Sequence, residues 1–253
     1  MHHFYGWRPD IPDSRDQYFS APLRVLQTLP RRADLREACP PVYDQGSLGS
    51  CTANALAAAH EFDQRRQALP RPFAPSRLFI YYNERVIEKT VPYDAGARLR
   101  DGFKTIARNG VCPESEWPYD IAAFSRKPTA ACYKAALRHQ ALSYQRLQQT
   151  PAQLKGCIAD GYPFAFGFAV HESFESDEVA RTGVVPLPAK GEAVLGGHAV
   201  LAVGYEDASQ AFIIRNSWGT QWGESGYGYM PYSYLTDNDL SADFWTLRLV
   251  EGA

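Results

Sequence analysis

The hydrophobic pattern of this chain changes from helical to strand-like near the middle, and this change constrains the fold more than any other feature. In the first half, apolar residues recur at helical spacing over 52–66, 78–89 and 101–108, and the last run stops at an Asn-Gly pair. In the second half, the apolar runs at 162–170, 198–206, 211–219, 226–235 and 243–250 are short, β-prone and bounded by turn residues. Helices followed by strands predict an α+β fold with one lobe of each kind.

Length and charge exclude several classes of protein. A chain of 253 residues is long for one simple core, so we expect one unit with two lobes. The net charge of −2, without a basic patch, argues against a nucleic-acid partner. No apolar run approaches the ~20 residues of a membrane span, and the first residues do not have the pattern of a secretory signal. The compartment stays open.

A cysteine lies at the start of the predicted helix 52–66, in the stretch "YDQGSLGSCTANALAAAHEF" at 43–62. Small residues on several faces predict that this helix is buried in the middle of the fold. The electropositive N-terminus of a helix stabilises a thiolate, so Cys51 is a candidate nucleophile. Free cysteines are usually inert packing residues, and the position alone does not decide between the two interpretations.

Two later runs carry residues that would complete a thiolate site. His198 begins an apolar strand behind two glycines in "LGGHAVLAVGY", and histidine is the usual base near neutral pH. Asn216 ends another strand in "RNSWGTQWGESGYGYM", where its amide oxygen could orient an imidazole and Trp218 could shield that bond from water. Each run alone is also consistent with a strand-edge histidine or a glycine-rich turn.

Taken together, "QGSLGSCTAN", "GGHAVLAVGY" and "RNSWGTQWGESGYGY" resemble the three sequence blocks of the papain-like cysteine peptidases. The interval from cysteine to histidine is 198 − 51 = 147 residues, and the asparagine follows 216 − 198 = 18 residues later. The resemblance spans roughly residues 30 to 235, beginning with "LPRRADLR", and the short N-terminal segment and "GVCPESEWPYD" look most like bacterial members.

The resemblance implies a two-lobed fold with an active-site cleft between the lobes and a thiol endopeptidase of class EC 3.4.22. Cys51 would attack the scissile carbonyl and form a thioester, His198 would act as acid and base, and Asn216 would orient it. Gln45 and the Cys51 N–H would form the oxyanion hole, where each donor is worth on the order of 10²–10³ in rate.

Substrate-binding residues are also carried over from the family. Gly96 and Ala97 would line the strip that pairs with the substrate backbone. Gly167, Gly197 and Ala199 would lie near the pocket for the second residue before the scissile bond. Because these residues are small, we expect a roomy pocket that accepts bulky apolar or aromatic side chains.

The chain is divided into an N-terminal extension at 1–29 and a peptidase domain at 30–253. Within the domain, we expect a helical lobe at about 40–140, a β-rich lobe at about 141–240 and a C-terminal strand at 243–250. The extension is rich in aromatics and prolines, so it is expected to pack on the body. Two interpretations stay open: the extension lies across the cleft as an inhibitor, or it is a simple surface strap.

The chain departs from the family pattern at two positions beside the nucleophile. The family usually has a cysteine where this chain has Leu48, and a tryptophan where it has Thr52. If Cys51 is free, Cys39, Cys112, Cys132 and Cys157 allow three disulfide pairings, and all-reduced also stays open.

Two other functions stay open as alternatives: an acyltransferase with the same machinery, and a binding protein that kept the fold. We expect no metal and no cofactor, because the cysteines lack paired ligand spacing. The expected partners are a peptide or protein substrate and the N-terminal extension itself, in a monomer.

Overall fold

The structure, a computed structural model, describes residues 4–252. Of the predicted extension, residues 4–29 fall within this part and are called the arm below. The helices in the described part are α1 Leu23–Gln27, α2 Cys51–Arg66, α3 Arg77–Glu88, α4 Leu99–Asn109, α5 Ala130–Ala136, α6 Pro151–Ala159, α7 Asp177–Thr182 and α8 Tyr232–Thr236. The strands are β1 Arg32–Asp34, β2 Ala141–Arg146, β3 Phe164–His171, β4 Val194–Glu206, β5 Ala211–Arg215, β6 Tyr227–Pro231 and β7 Ser241–Val250.

The predicted α+β fold is confirmed. The larger helices α2, α3 and α4 come first and pack on one another, and α2 also packs on β4 and β7. The strands form one sheet in the order β2-β7-β3-β4-β5-β6, with β1 added to the far end of β4. Every strand pair in this sheet is antiparallel.

Helix α2 is buried from Cys51 to Gln64, as its small residues predicted. Alanine allows neighbouring elements to approach closely, so the helix can lie between α3 and the sheet. Helix α3 begins at a Ser76 cap, whose hydroxyl accepts a hydrogen bond from the Phe79 N–H at 3.1 Å. Helix α4 ends at the predicted Asn-Gly stop, with Gly110 at φ +70°.

Strand β3 carries large side chains on one face and small residues on the face toward α2. Successive side chains of a strand point to opposite faces. Phe164, Phe166 and Phe168 lie in the core on the outer face of the sheet, whereas Ala165 packs into the core shared with the helices. Gly167 lies on the same face as Ala165, and this alternation leaves room next to the first turn of α2.

Two predicted strands were too long. The run 226–235 forms β6 only to Pro231 and then turns into α8, because proline has no N–H for the ladder and its φ of −54° suits a helix start. The run 211–219 ends as a strand at Arg215, and Asn216 begins a turn. No pattern predicted β2 or the short helices α5 to α7. The domain boundaries at 30, 40, 140 and 240 stay predictions.

Candidate active site

Cys51 is the first residue of α2, and its side chain is fully buried. The Ser50 side chain at the N-cap accepts no backbone N–H of the helix, and its hydroxyl accepts the Asn54 side-chain amide at 3.1 Å. Burial raises the pKa of Cys51 to about 12, while hydrogen bonds from the backbone of Ala199, Gly6 and Thr52 act to lower that pKa. Gly6 belongs to the arm, so a backbone group of the arm lies within hydrogen-bonding reach of the Cys51 sulfur.

His198 and Asn216 are brought together by neighbouring strands. His198 lies within β4, and Asn216 follows the end of β5, which pairs with β4. The two side chains join through a 2.8 Å hydrogen bond between His198 Nε2 and Asn216 Oδ1. The same amide oxygen accepts the Ser217 N–H at 2.8 Å, which fixes the oxygen toward the imidazole.

Aromatic rings enclose this histidine. The Trp218 ring stacks on the His198 ring with a centroid distance of 4.8 Å and an interplanar angle of 29°. Phe168 meets the same imidazole edge-on at 5.7 Å. Because apolar rings exclude water, the His198–Asn216 hydrogen bond lies in a medium of low dielectric constant, where it is stronger than in water.

Gln45 presents its side-chain amide to the cleft. Its Nε2 donates to the carbonyl of Leu48 at 2.9 Å and to the carbonyl of Phe4, an arm residue, at 3.1 Å. Its Oε1 accepts the Ser217 hydroxyl at 2.6 Å, which sets the direction of the amide. The sequence reasoning missed Ser217, although it lies inside the "RNSWG" motif between two predicted site residues.

The arm passes through the cleft beside these groups. The Ala97 N–H donates to the Gly6 carbonyl at 2.7 Å, and the Arg8 N–H donates to the Ala97 carbonyl at 3.0 Å. On the opposite side, the Trp7 N–H donates to the Gly197 carbonyl at 2.8 Å. The arm therefore lies between the helical part and the sheet and pairs with both, and its bridge to Ala97 is parallel.

Two of the three predicted pocket residues, Gly167 and Gly197, lie against the Trp7 indole. A Cβ added to Gly167 would lie 1.9 Å from Trp7 Cε2, and one added to Gly197 would lie 2.7 Å from Trp7 Cε3. Ala199 is paired with Gly167 in the β3–β4 register. Gly96, with φ at +65°, would likewise bring a Cβ within 2.0 Å of the Gly6 carbonyl, so only glycine allows the arm to approach here.

Buried charges hold the next part of the arm. Asp10 accepts the Trp245 indole N–H at 2.9 Å and the Arg100 backbone N–H at 3.1 Å, and its own N–H donates to Asp243 at 2.7 Å. Asp16 forms a salt bridge with Arg100. Burial, aided by the nearby Asp243 carboxylate, raises the pKa of Asp10 to about 6.

Comparison with known proteins decides the family. The family model described as "Papain family cysteine protease" matches residues 29–239. The chain belongs to this family. A papain-family protease hydrolyses peptide bonds, so the substrates are peptides or proteins.

Three relatives illustrate the likeness to the papain family. Xylellain, a cysteine protease from Xylella fastidiosa, has a structure with a TM-score of 0.90 and 46% identity, over 96% of this chain and 95% of that chain. An uncharacterized peptidase C1-like protein of Acanthamoeba polyphaga mimivirus is 40% identical, over 97% of this chain and 87% of its own length. A cysteine protease of Carica candamarcensis shares the fold at a TM-score of 0.64 and 22% identity, over 85% of this chain and 97% of that chain. The expected likeness to bacterial papain-like proteases is confirmed by xylellain.

At the two positions that depart from the family pattern, the residues present make contacts of their own. Leu48 is buried in the core shared by the helices and the sheet, so an apolar contact occupies the place of the missing cysteine. The Thr52 hydroxyl donates to the buried Glu84 carboxyl at 2.9 Å. All five cysteines lie within the described part and carry free thiols, which favours the all-reduced alternative.

Within residues 4–252, no cluster of three His, Cys, Asp or Glu side chains is placed to hold a metal ion. No helix in the same range combines the length and the apolar character that a membrane span requires.

Proposed function

We propose that this papain-family protease is an endopeptidase that works through Cys51, His198, Asn216 and Gln45 and is kept latent by its own arm. The observation that carries the proposal is the Phe4 carbonyl, which accepts from Gln45 Nε2 at 3.1 Å, two residues before Gly6, whose backbone hydrogen-bonds to the buried Cys51 thiol. A backbone carbonyl of the arm thus occupies the place where a substrate carbonyl would develop negative charge.

The geometry of these side chains supports the following reaction. Asn216 fixes His198 through Nε2, which assigns proton exchange to Nδ1. Nδ1 takes the proton of Cys51, and the sulfur bonds to the scissile carbonyl carbon. The oxyanion accepts from Gln45 Nε2 and the Cys51 N–H. The C–N bond then breaks as His198 gives its proton to the leaving amine, which leaves a thioester.

Water completes the cycle. His198 takes a proton from a water molecule as its oxygen attacks the thioester carbon. The C–S bond breaks, and the proton returns to the Cys51 sulfur. The enzyme is restored, and the net change is one peptide bond hydrolysed by one water, with no cofactor required.

The direction of the arm supports latency without self-cleavage. A substrate places the second residue before its scissile carbonyl in the pocket next to Gly167 and Gly197. In the arm, the residue in that pocket is Trp7, which comes three positions after the Phe4 carbonyl. The arm therefore runs opposite to a substrate, and no peptide bond of the arm is presented as a scissile bond.

The pocket supports a substrate preference. Since the indole of Trp7 fits where Gly167 and Gly197 lack side chains, the enzyme is expected to accept bulky apolar or aromatic residues at the second position before the scissile bond. A peptide library that showed strict preference for glycine or a charged residue at this position would contradict this assignment.

Labelling the nucleophile tests the proposal. The full chain is incubated at neutral pH with an epoxide-type inhibitor of thiol proteases, and the adduct is mapped by mass spectrometry. The same experiment is run on Cys51→Ala, and hydrolysis of a fluorogenic dipeptide is followed in parallel.

We expect an adduct on Cys51 alone, with hydrolysis abolished by Cys51→Ala. Labelling of Cys39, the one partly exposed thiol, would mean that the reagent follows accessibility instead of activation. No adduct and no hydrolysis, even when the arm is weakened by Trp7→Ala, would favour the binding-protein alternative.

A further inference from the structure

Tyr5 lies in a second subsite, separate from the pocket of Trp7. Its ring covers Gly196, where an added Cβ would lie 2.8 Å from the Tyr5 side chain. Its ring centroid is 6.5 Å from that of Trp218. The Tyr5 hydroxyl donates a hydrogen bond to the carboxylate of Glu175. We call Gly196, Trp218 and Glu175 the Glu175 subsite.

The Glu175 subsite lies on the leaving-group side of the scissile bond, an assignment that rests on the proposed function. His198 must give its proton to the leaving amine, so the residue that carries this amine lies next to the imidazole. Trp218 stacks on that imidazole at 4.8 Å. A side chain of the first residue after the scissile bond therefore reaches the Trp218 ring.

The subsite combines an apolar surface, the Trp218 ring, with a negative charge, the Glu175 carboxylate. Glu175 is half-buried and closes the 3-10 turn Glu172–Glu175. The turn already contains Glu172, and Asp177 and Glu178 follow it after Ser176. Glu178 is paired with Arg181, so the negative charge beside Glu175 comes mainly from Glu172 and Asp177.

We propose that Glu175 selects a lysine, arginine or tyrosine as the first residue after the scissile bond. The methylene stem of lysine or arginine, or the ring of tyrosine, packs on Trp218, while the terminal donor reaches the carboxylate as the Tyr5 hydroxyl does. A glutamate at this position meets a like charge and is rejected.

Quenched fluorogenic peptides test this selection. The peptides share one sequence with phenylalanine at the second position before the scissile bond, and they differ only in the first residue after it: Lys, Arg, Tyr, Gln or Glu. The enzyme is the full chain carrying Tyr5→Ala and Trp7→Ala, which empties both subsites. In this background, we compare kcat/KM on each peptide for three enzymes: the one with Glu175 unchanged, Glu175→Gln and Glu175→Lys.

A half-buried charge pair of this kind predicts a modest preference. We expect Lys and Arg to exceed Gln by about 3- to 10-fold and Glu by more. Glu175→Gln should remove the preference of Lys over Gln and retain cleavage of the Tyr peptide. Glu175→Lys should reverse the order of the Lys and Glu peptides.

Glu178→Gln is the matched control, because Glu178 is an exposed carboxylate three positions away that pairs with Arg181. If Glu178→Gln loses as much of the preference for lysine as Glu175→Gln does, the preference comes from the overall negative charge of this region. That result would overturn the inference. Equal rates on all peptides would also overturn it and leave the proposed function standing. If no peptide is cleaved and Cys51 is not labelled, the proposed function fails, and this inference fails with it.

Discussion

Replacing Trp7 by alanine is the most direct test of how the arm holds the protease closed. The indole fills the space next to Gly167 and Gly197, and its Nε1 forms no hydrogen bond with any described residue. The substitution therefore removes apolar packing only, and the backbone hydrogen bond from Trp7 to Gly197 can persist.

The size of the effect follows from burial. Truncating a fully buried tryptophan costs about 3–5 kcal/mol. Since Trp7 is half-buried, we take roughly half of that, about 2 kcal/mol, which is about a 30-fold change in the docking equilibrium of the arm. The rate of hydrolysis of a fluorogenic dipeptide by the full chain should rise by up to about 30-fold, until the arm is mostly open.

Rates are compared per active site, titrated with the epoxide inhibitor. Trp7→Phe should give an intermediate rise, because a smaller ring still fills part of the pocket. Ile11→Ala is the matched control, since Ile11 is an arm residue that is 65% exposed. If Trp7→Ala and the parent chain hydrolyse the dipeptide at the same rate per reactive Cys51, the arm does not gate the cleft.

Three further predictions concern other parts of the molecule. Ser217→Ala removes the hydroxyl that orients the Gln45 amide, so kcat should fall about 5-fold with KM nearly unchanged, for a loss of about 1 kcal/mol. Docking of the arm should weaken as the pH rises from about 4 through 6, because the pKa of Asp10 is raised from 3.8 to about 6 in the docked state. The denatured chain, without reductant, should react with five equivalents of a thiol reagent, because all five cysteines are free.

The sign of the pH effect follows from proton linkage. Docking raises the pKa of Asp10, so the docked arm binds more protons than the free arm between about pH 4 and 6. Docking is therefore strongest at the acidic end and loses about 2–3 kcal/mol as the pH rises through 6. Dipeptide hydrolysis per active site, measured from pH 4 to 7, should show this release, and Asp10→Asn should flatten it.

Each of the three has an outcome that contradicts it. A Ser217→Ala enzyme with normal kcat would mean that other contacts orient Gln45. Release of the arm on acidification would show that other carboxylates outweigh Asp10. Three titratable thiols in place of five would indicate a disulfide among the cysteines outside the cleft.

The sequence was sufficient to predict those features of the fold and of the site that depend on residue type and local spacing. The buried helix α2 follows from its alanines, and the motifs around Cys51, His198 and Asn216 indicated one site because their chemistry is complementary. Pro231 indicates where β6 can end, but the sequence does not indicate that α8 follows. A helix of five residues depends on tertiary contacts such as that of the Tyr234 hydroxyl with the Ala169 carbonyl.

The path of the arm could not be predicted either. Aromatic residues in the first 29 positions indicated packing on the body, but not where or in which direction. Direction depends on which carbonyl meets Gln45 and which ring meets Gly167, and both are contacts across long sequence separations. Glu175 was missed for the same reason, because only the position of the Tyr5 hydroxyl singles it out from neighbouring acidic residues.

The arm and the cleft belong to one chain, and this has a consequence for how the latent enzyme responds to its surroundings. The arm is joined to the peptidase domain by the backbone, so its effective concentration at the cleft is of millimolar order even after it undocks. Dilution cannot release it, and opening is a first-order event. A peptide substrate thus competes against a fixed local concentration, and the apparent KM of the intact chain should stay the same at every enzyme concentration.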